Sequence, residues 1–411
     1  MSRTDEAALA GLCDLADDDP ALERGLVQLH AALDRADVAD RLSPEAARSL
    51  YGALSRQSIS RLEHFAACPF SYFADYGLKP DRVTPFELNV KDEGTFFHEA
   101  VRAFLHGSMS DLGSISLPEA EARMDAIAER LLDELSSRGP LGDSAVAMAE
   151  RRRLRDTART CADVLVEQMQ GSRFAPSALE TSFGREDGPA RLLVDASSGQ
   201  CVLEGRIDRI DEWAEGGYLR VIDYKRGGKP LNLDAVYHGL SLQLPVYLAA
   251  AMKKRGELSA GVYYFTLDEG IVTLQSTDPN DVEKARRERF RLAGLTSDDR
   301  DALAAQSPNY EDVLNVQISK SGEFSKNALV TDQAGFEAMT RHALDKAADI
   351  LDDIRGGETG IAPSDFRNMS ACTWCDLRAA CLFDPRLDAG RVRRFPTIRG
   401  TEVLRHLKLK E

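Results

Sequence analysis

The stretch "YLRVIDYKRG", residues 218–227, decides how this chain is read. Leu219, Val221 and Ile222 mark an apolar strand, and Arg226, Gly227 and Gly228 end it. Side chains on a strand alternate between faces, so Asp223 and Lys225 share one face and Tyr224 takes the other. On so apolar a strand, that pair is either a surface ion pair or part of a built site.

The preceding stretch narrows the choice. "LEGRIDRIDEW" (203–213) also reads as a strand, and the Gly216-Gly217 turn joins the two as an antiparallel hairpin. Asp208 and Asp223 then converge near one point. Two carboxylates there repel unless a cation neutralises them. A hard divalent ion such as Mg²⁺ does so with oxygen ligands and retained waters. Lys225 is placed to orient or deprotonate an activated water and to balance phosphate charge. An isolated D-x-K is more often a surface pair contributing little; the apolar strand and the second Asp favour the built site.

Two helices add candidates. "GTFFHEAVRAFL" (94–105) places Phe97, Ala100, Val101, Phe104 and Leu105 on one face, with His98 on its flank. A flanking His is usually a half-buried polar residue, but aimed at an acidic cluster it can ligate a metal through neutral imidazole. In "LSLQLPVYLAA" (240–250), Gln243 and Tyr247 lie four apart and share a face, while Pro245 requires the helix to start close by.

The seven cysteines are uneven: Cys372, Cys375 and Cys381 crowd into "CTWCDLRAAC", one ligand short of a closed site. Cys68 in "HFAACPFSYF" is the natural fourth, stapling two segments about three hundred residues apart. Zinc and an iron–sulfur cluster both accept four thiolates, and spacing alone does not separate them.

A chain of 411 residues accommodates two or three compact units. It holds no apolar run that would span a bilayer, and its acidic N-terminus is unlike a signal peptide, so a cytoplasmic location with no membrane partner is expected. The net charge of −15 argues against a general nucleic-acid coat but allows a local basic groove. From Arg386 onward eight Lys/Arg face three acids, a basic tail that on its own reads as a solvated face.

Periodicity predicts helices over residues 5–16, 19–42 and 43–55, the last with Ser43 as N-cap and Pro44 at the first position. A short aromatic-rich helix near Ser60 follows, with Ser60 as its cap, then helices over 94–108, 117–137 and 144–171. Strands fill 178–225. Beyond them come a helix over 239–254, strands "GVYYFTL" and "IVTLQS", a helix near 280–293, a β-rich piece over 313–331 and a helix over 334–356.

Taken in order, these motifs resemble the C-terminal nuclease domain of the AddB family, from the RecB-like branch of the PD-(D/E)xK nucleases. "SRLEHFAACPF", "GTFFHEAV", "GRIDRID", "VIDYKRG", "LQLPVYL", "RFRLAGL" and "CTWCDLRAAC" carry the resemblance, from about Ser58 to Pro385. It implies an α/β fold, a restriction-endonuclease-like mixed sheet flanked by helices, with an iron–sulfur staple. Residues 1–57 would be a helical segment resembling the end of a helicase-like region, 58–385 the nuclease domain and 386–411 the basic tail. It further implies metal binding (Mg²⁺ or Mn²⁺) by His98, Asp208, Asp223 and the Tyr224 carbonyl. Lys225 would be the catalytic lysine, with Gln243 and Tyr247 positioning it or the DNA. Cys68, Cys372, Cys375 and Cys381 would hold a [4Fe–4S] cluster, and Glu180 in "ALETSFG" corresponds to an accessory acidic position.

The implied function is an exonuclease acting on single-stranded DNA ends, degrading the 5′-ended strand beside an AddA-like helicase–nuclease subunit in double-strand-break repair and recombination. The chain has no G-x-x-x-x-G-K-[ST], so ATP hydrolysis is not expected, and it reads as a fragment or a shortened protein. The alternatives are a stand-alone CRISPR-associated iron–sulfur nuclease, a catalytically silent DNA-end-binding scaffold, and a zinc-stapled interaction module.

Overall fold

The computed structural model describes residues 11, 19–34, 41–81, 88–137, 141, 144–184, 191–227, 231–267, 278–316, 318–319, 322–326 and 328–409. The expected helix over 5–16, apart from Gly11, and the strand "IVTLQS" lie outside them.

An eight-stranded mixed sheet organises the molecule. Its strands are β1 (Arg56–Ser58), β2 (Ala175–Phe183), β3 (Leu192–Ala196), β4 (Gly199–Trp213), β5 (Tyr218–Lys225), β6 (Leu258–Thr266), β7 (Ala293–Ser297) and β8 (Val330–Thr331). The order is β1-β4-β5-β6-β7-β8, with β2 and β3 also pairing β4. Fifteen residues make β4 long enough for this: its first half pairs β3 and β1, its second β2 and β5. The β4–β5 hairpin is antiparallel and turns through Gly217 at φ 70°, a left-handed conformation open to glycine.

The principal helices are α1 (Ile59–Ala67), α2 (Val90–Ser108), α3 (Leu117–Ser137), α4 (Ala145–Met169), α5 (Gln243–Arg255), α6 (Gln333–Arg355) and α7 (Gly400–Lys408). Two apolar cores lie on the two faces of the sheet. One buries Leu219 and Val221 of β5 against Leu62 and Phe65 of α1, Leu244 and Leu248 of α5, Phe336 and Met339 of α6, and Val403 and Leu407 of α7. The other buries Ile222 and Tyr224 against α2, α3 and α4. The alternation along β5 therefore splits as its sequence requires, and both faces of the strand are dry. All five apolar residues expected on one face of α2 are in this second core.

Local chemistry sets the helix starts. Ser43 accepts from Ala46 N with Pro44 at the first position, as expected. α2 begins at Val90, four residues before its expected start, because Asn89 and Asp92 form a reciprocal capping box. Ser60 is not a cap: Ser58 occupies that position, and the Ser60 hydroxyl lies 3.3 Å from that of Ser58. α5 begins at Gln243 rather than 239, which puts Pro245 in its first turn, where no helical N–H is needed. Among the described residues, 313–331 is not β-rich. It contains β8 and the isolated bridges Leu292↔Leu314 and Ile318↔Phe324, because Ser, Lys and Gly interrupt the apolar alternation.

A small second sheet joins β9 (Ser364–Phe366), β10 (Met369–Ser370) and β11 (Arg393–Phe395). Through it and α7 the basic tail folds back onto the body, with Arg393 pairing Ser364 in register. Among the described residues, no helix is long and apolar enough to cross a membrane.

Candidate metal centre and thiol cavity

Strand register builds the acidic site. On β2 and β4, Leu179 pairs Arg209 and Thr181 pairs Ile207, so Glu180 stands opposite Asp208. On β4 and β5, the ladder reaches Arg209 and Ile222, and Asp208 and Asp223 lie one step beyond. Three carboxylates thus form a row across three adjacent strands. Glu180 is at φ 50°, a left-handed conformation unusual for a non-glycine inside a strand. The family resemblance points to Glu180, but nothing in the sequence signals its backbone geometry.

His98 reaches this row from α2. Its Nε2 lies 3.2 Å from the Tyr224 carbonyl, and its Nδ1 lies 3.6 Å from Asp208 Oδ2 and 3.9 Å from Glu180 Oε1. Ligand atoms of His98, Glu180 and Asp208 all fall within 4.8 Å of one another. The Tyr224 amide donates to Asp208 Oδ2 at 2.7 Å, fixing that carboxylate against the next strand.

Burial and the neighbouring Asp223 push the Asp208 carboxyl up to about 7, against the opposing pull of His98. Burial alone would lower the His98 imidazole, but Glu180, Asp208 and Asp223 together raise it. Crowded carboxylates in a dry place are the condition a cation relieves. The donor set of carboxylates, a carbonyl and one imidazole suits Mg²⁺ or Mn²⁺ better than a thiophilic metal. The residues present therefore fit a divalent ion.

Lys225 lies beside the row, with Nζ 2.6 Å from Asp223 Oδ2 and 5.6 Å from the Tyr264 ring centroid. It donates to Gln243 Oε1 at 2.9 Å, and Gln243 Nε2 donates to the Tyr247 hydroxyl at 2.9 Å. The shared face expected for Gln243 and Tyr247 is present, and it points at the lysine.

A buried ion triad underlies the same strands. Arg209 grips Asp211 through Nε at 2.6 Å and Nη2 at 2.7 Å, and Arg220 Nε reaches the same carboxylate at 2.8 Å. All three side chains are at most 1% exposed. Burial alone would raise the Asp211 carboxyl, but the two guanidiniums hold it lowered. Removing one partner of such a set leaves an unpaired buried charge, so the triad pins β4 to β5 just behind the acids. The sequence does not betray it, because a charge inside "GRIDRIDEW" resembles ordinary strand alternation.

Elsewhere, Cys68, Cys372, Cys375 and Cys381 line one cavity of about 480 Å³, together with Glu63, His64, Trp374 and Arg378. Cys68 follows the last residue of α1; the other three lie on a short 3₁₀ turn and a four-residue helix. Burial and the neighbouring cysteines raise the Cys372 and Cys375 thiols. Arg393 clamps this region: its Nη2 donates to Ala66 O at 2.7 Å and Ala67 O at 3.3 Å, and its Nε to Ala362 O at 2.8 Å. The guanidinium thus satisfies carbonyls that α1 leaves open at its C-terminus.

A mixed sheet carrying two acids and a lysine at the end of one hairpin defines a nuclease class. The chain belongs to the PD-(D/E)XK nuclease superfamily, whose family profile matches residues 56–382. Within that class, it is 35% identical over 88% of its length to the AddB-type component of the ATP-dependent helicase/deoxyribonuclease of Moorella thermoacetica. It is 33% identical over 86% of its length to the corresponding protein of Pelotomaculum thermopropionicum, and 32% over 90% to that of Desulforudis audaxviator. The chain spans about a third of the length of these relatives, and the AddB-like resemblance read from its motifs is shown by them.

Proposed function

We propose that this chain is the nuclease part of an AddB-like protein, a Mg²⁺- or Mn²⁺-dependent exonuclease that cleaves single-stranded DNA ends beside an AddA-like partner. Degradation of the 5′-ended strand during double-strand-break repair follows from the same reading. The observation that carries it is the row Glu180, Asp208 and Asp223, faced by His98 and flanked by Lys225.

Asp208, Asp223, His98 and the Tyr224 carbonyl would hold the ion. When bound, it polarises the scissile phosphate and lowers the pKa of a water. Lys225 supplies a fixed positive charge at the edge of the row, where negative charge grows on the phosphate. Gln243 holds the Lys225 amine in place and Tyr247 holds Gln243, so the cation need not reorganise during reaction. The Tyr224 amide keeps the Asp208 carboxylate oriented.

The thiol cavity supports the [4Fe–4S] reading. Among the described residues, four cysteines line it, and its volume of about 480 Å³ exceeds what a single tetrahedral ion enclosed by its ligands would leave. The test is cleavage of end-labelled single-stranded DNA, with and without Mg²⁺, by anaerobically purified chain and by Asp223→Ala. Metal-dependent cleavage lost in the variant is expected. No cleavage by a folded, iron-loaded wild type would overturn autonomous catalysis.

A further inference from the structure

Glu63 stands between the two sites. It lines the thiol cavity on α1, five residues before Cys68. Its Oε1 also accepts from Leu242 N at 2.6 Å and Gln243 N at 2.9 Å. Those two amides open α5, whose Leu242 side chain offers no capping acceptor. A helix start leaves its first N–H groups without partners; Pro245 has none, and Val246 N is bonded to Leu242 O at 3.0 Å. Glu63 therefore serves as a cap supplied from 179 and 180 residues away, and its charge also suits the positive end of the helix. The first residue of that helix is Gln243, whose side chain grips Lys225.

We propose that Glu63 is a positioning residue coupling the state of the thiol cavity to the alignment of Lys225. The path has four links: Cys68 ends α1, α1 carries Glu63, Glu63 fixes the start of α5, and Gln243 aims the lysine. Loss of the bound cluster releases the end of α1, loosens the cap and lets Gln243 drift from the lysine. The nuclease is then competent only while the cavity is filled, although the cluster takes no part in cleavage. This inference rests on the nuclease reading for its catalytic consequence. Its structural core, the cap itself, does not.

The test compares the iron-loaded chain with Glu63→Ala, Glu63→Gln and Cys68→Ser by amide hydrogen exchange and by steady-state cleavage. Loss of an N-cap acceptor shifts a local opening equilibrium by about tenfold. In Glu63→Ala, the Leu242 and Gln243 amides should therefore exchange about tenfold faster. The kcat should fall at least about tenfold with KM for DNA unchanged, the signature of a misplaced group rather than lost binding. Glu63→Gln keeps an oxygen acceptor and should stay near wild type in both. Cys68→Ser should lose iron and show the same faster exchange at 242–243.

Unchanged exchange in Glu63→Ala would overturn the cap. Unchanged exchange in an iron-free Cys68→Ser would overturn the coupling to the cavity. Equal kcat losses in Glu63→Gln and Glu63→Ala would overturn the hydrogen-bond account. If the wild type does not cleave DNA, the nuclease reading fails while the exchange measurements still decide this one.

Discussion

The acidic row and the thiol cavity are assembled in opposite ways. The row stands on paired strands: Glu180, Asp208 and Asp223 are placed by ladder register and backed by the buried Arg209–Asp211–Arg220 triad. Its geometry is preset, and its defect is excess negative charge. The cavity lies on short irregular turns drawn from two segments far apart in the chain, joined by Arg393 and little regular structure. A preset site binds its ion without reorganising and gains little stability from it. A loosely framed site takes much of its stability from what it binds.

Four substitutions or titrations sharpen that contrast or break it. The largest effect is expected at the row: Asp223→Ala should slow cleavage roughly 10³-fold while the thermal midpoint stays level or rises, because a like charge beside Asp208 has gone. A large fall in the midpoint would place Asp223 in the framework instead.

Cys68→Ser should do the reverse to stability. Closing so long a loop stabilises by about 4–5 kcal/mol on chain-entropy grounds, and urea unfolding with iron content measured in parallel would register the loss. An iron-free variant as stable as wild type would remove the contrast.

The third concerns pH. Asp208 sits at about 7 in the ion-free protein, above its unfolded value. Its contribution to stability is therefore complete below the ordinary carboxylate range and is lost as pH rises through about 7. Ion binding requires the deprotonated form, so Mg²⁺ affinity should fall by up to about tenfold per pH unit below about 7, with proton release. Calorimetry in buffers of different ionisation enthalpy would detect the proton. A pH-independent affinity would mean the row is ionised without its cation.

The smallest expected change is Arg393→Ala, which removes charge-assisted bonds to Ala66, Ala67 and Ala362 worth about 1.5–3 kcal/mol each at most. Iron retention on dialysis against chelator should drop while DNA cleavage by freshly loaded protein stays within about threefold.

The residues that carry chemistry are readable because their patterns are local. Period-two alternation places Asp223 and Lys225 on one face, a Gly-Gly turn brings Asp208 alongside, and three crowded cysteines require a fourth. Four-residue spacing gives the Gln243–Tyr247 face, and the apolar stripe of α2 gives His98 its flank. Helix boundaries escape sequence reading where a cap decides them, as at Asn89 and at Leu242.

Composition and periodicity are enough to specify an α/β chain with a charged hairpin and a four-cysteine set, because each is a relation between near neighbours or between residue types. What folding alone decides is which distant groups meet. The basic tail returns so that Arg393 clamps the end of α1. A lone glutamate in "SRLEHF" caps a helix 180 residues on. Glu180 turns into a left-handed conformation opposite Asp208. No periodicity encodes such meetings, because they depend on strand order and on two helices packing against one face of a sheet.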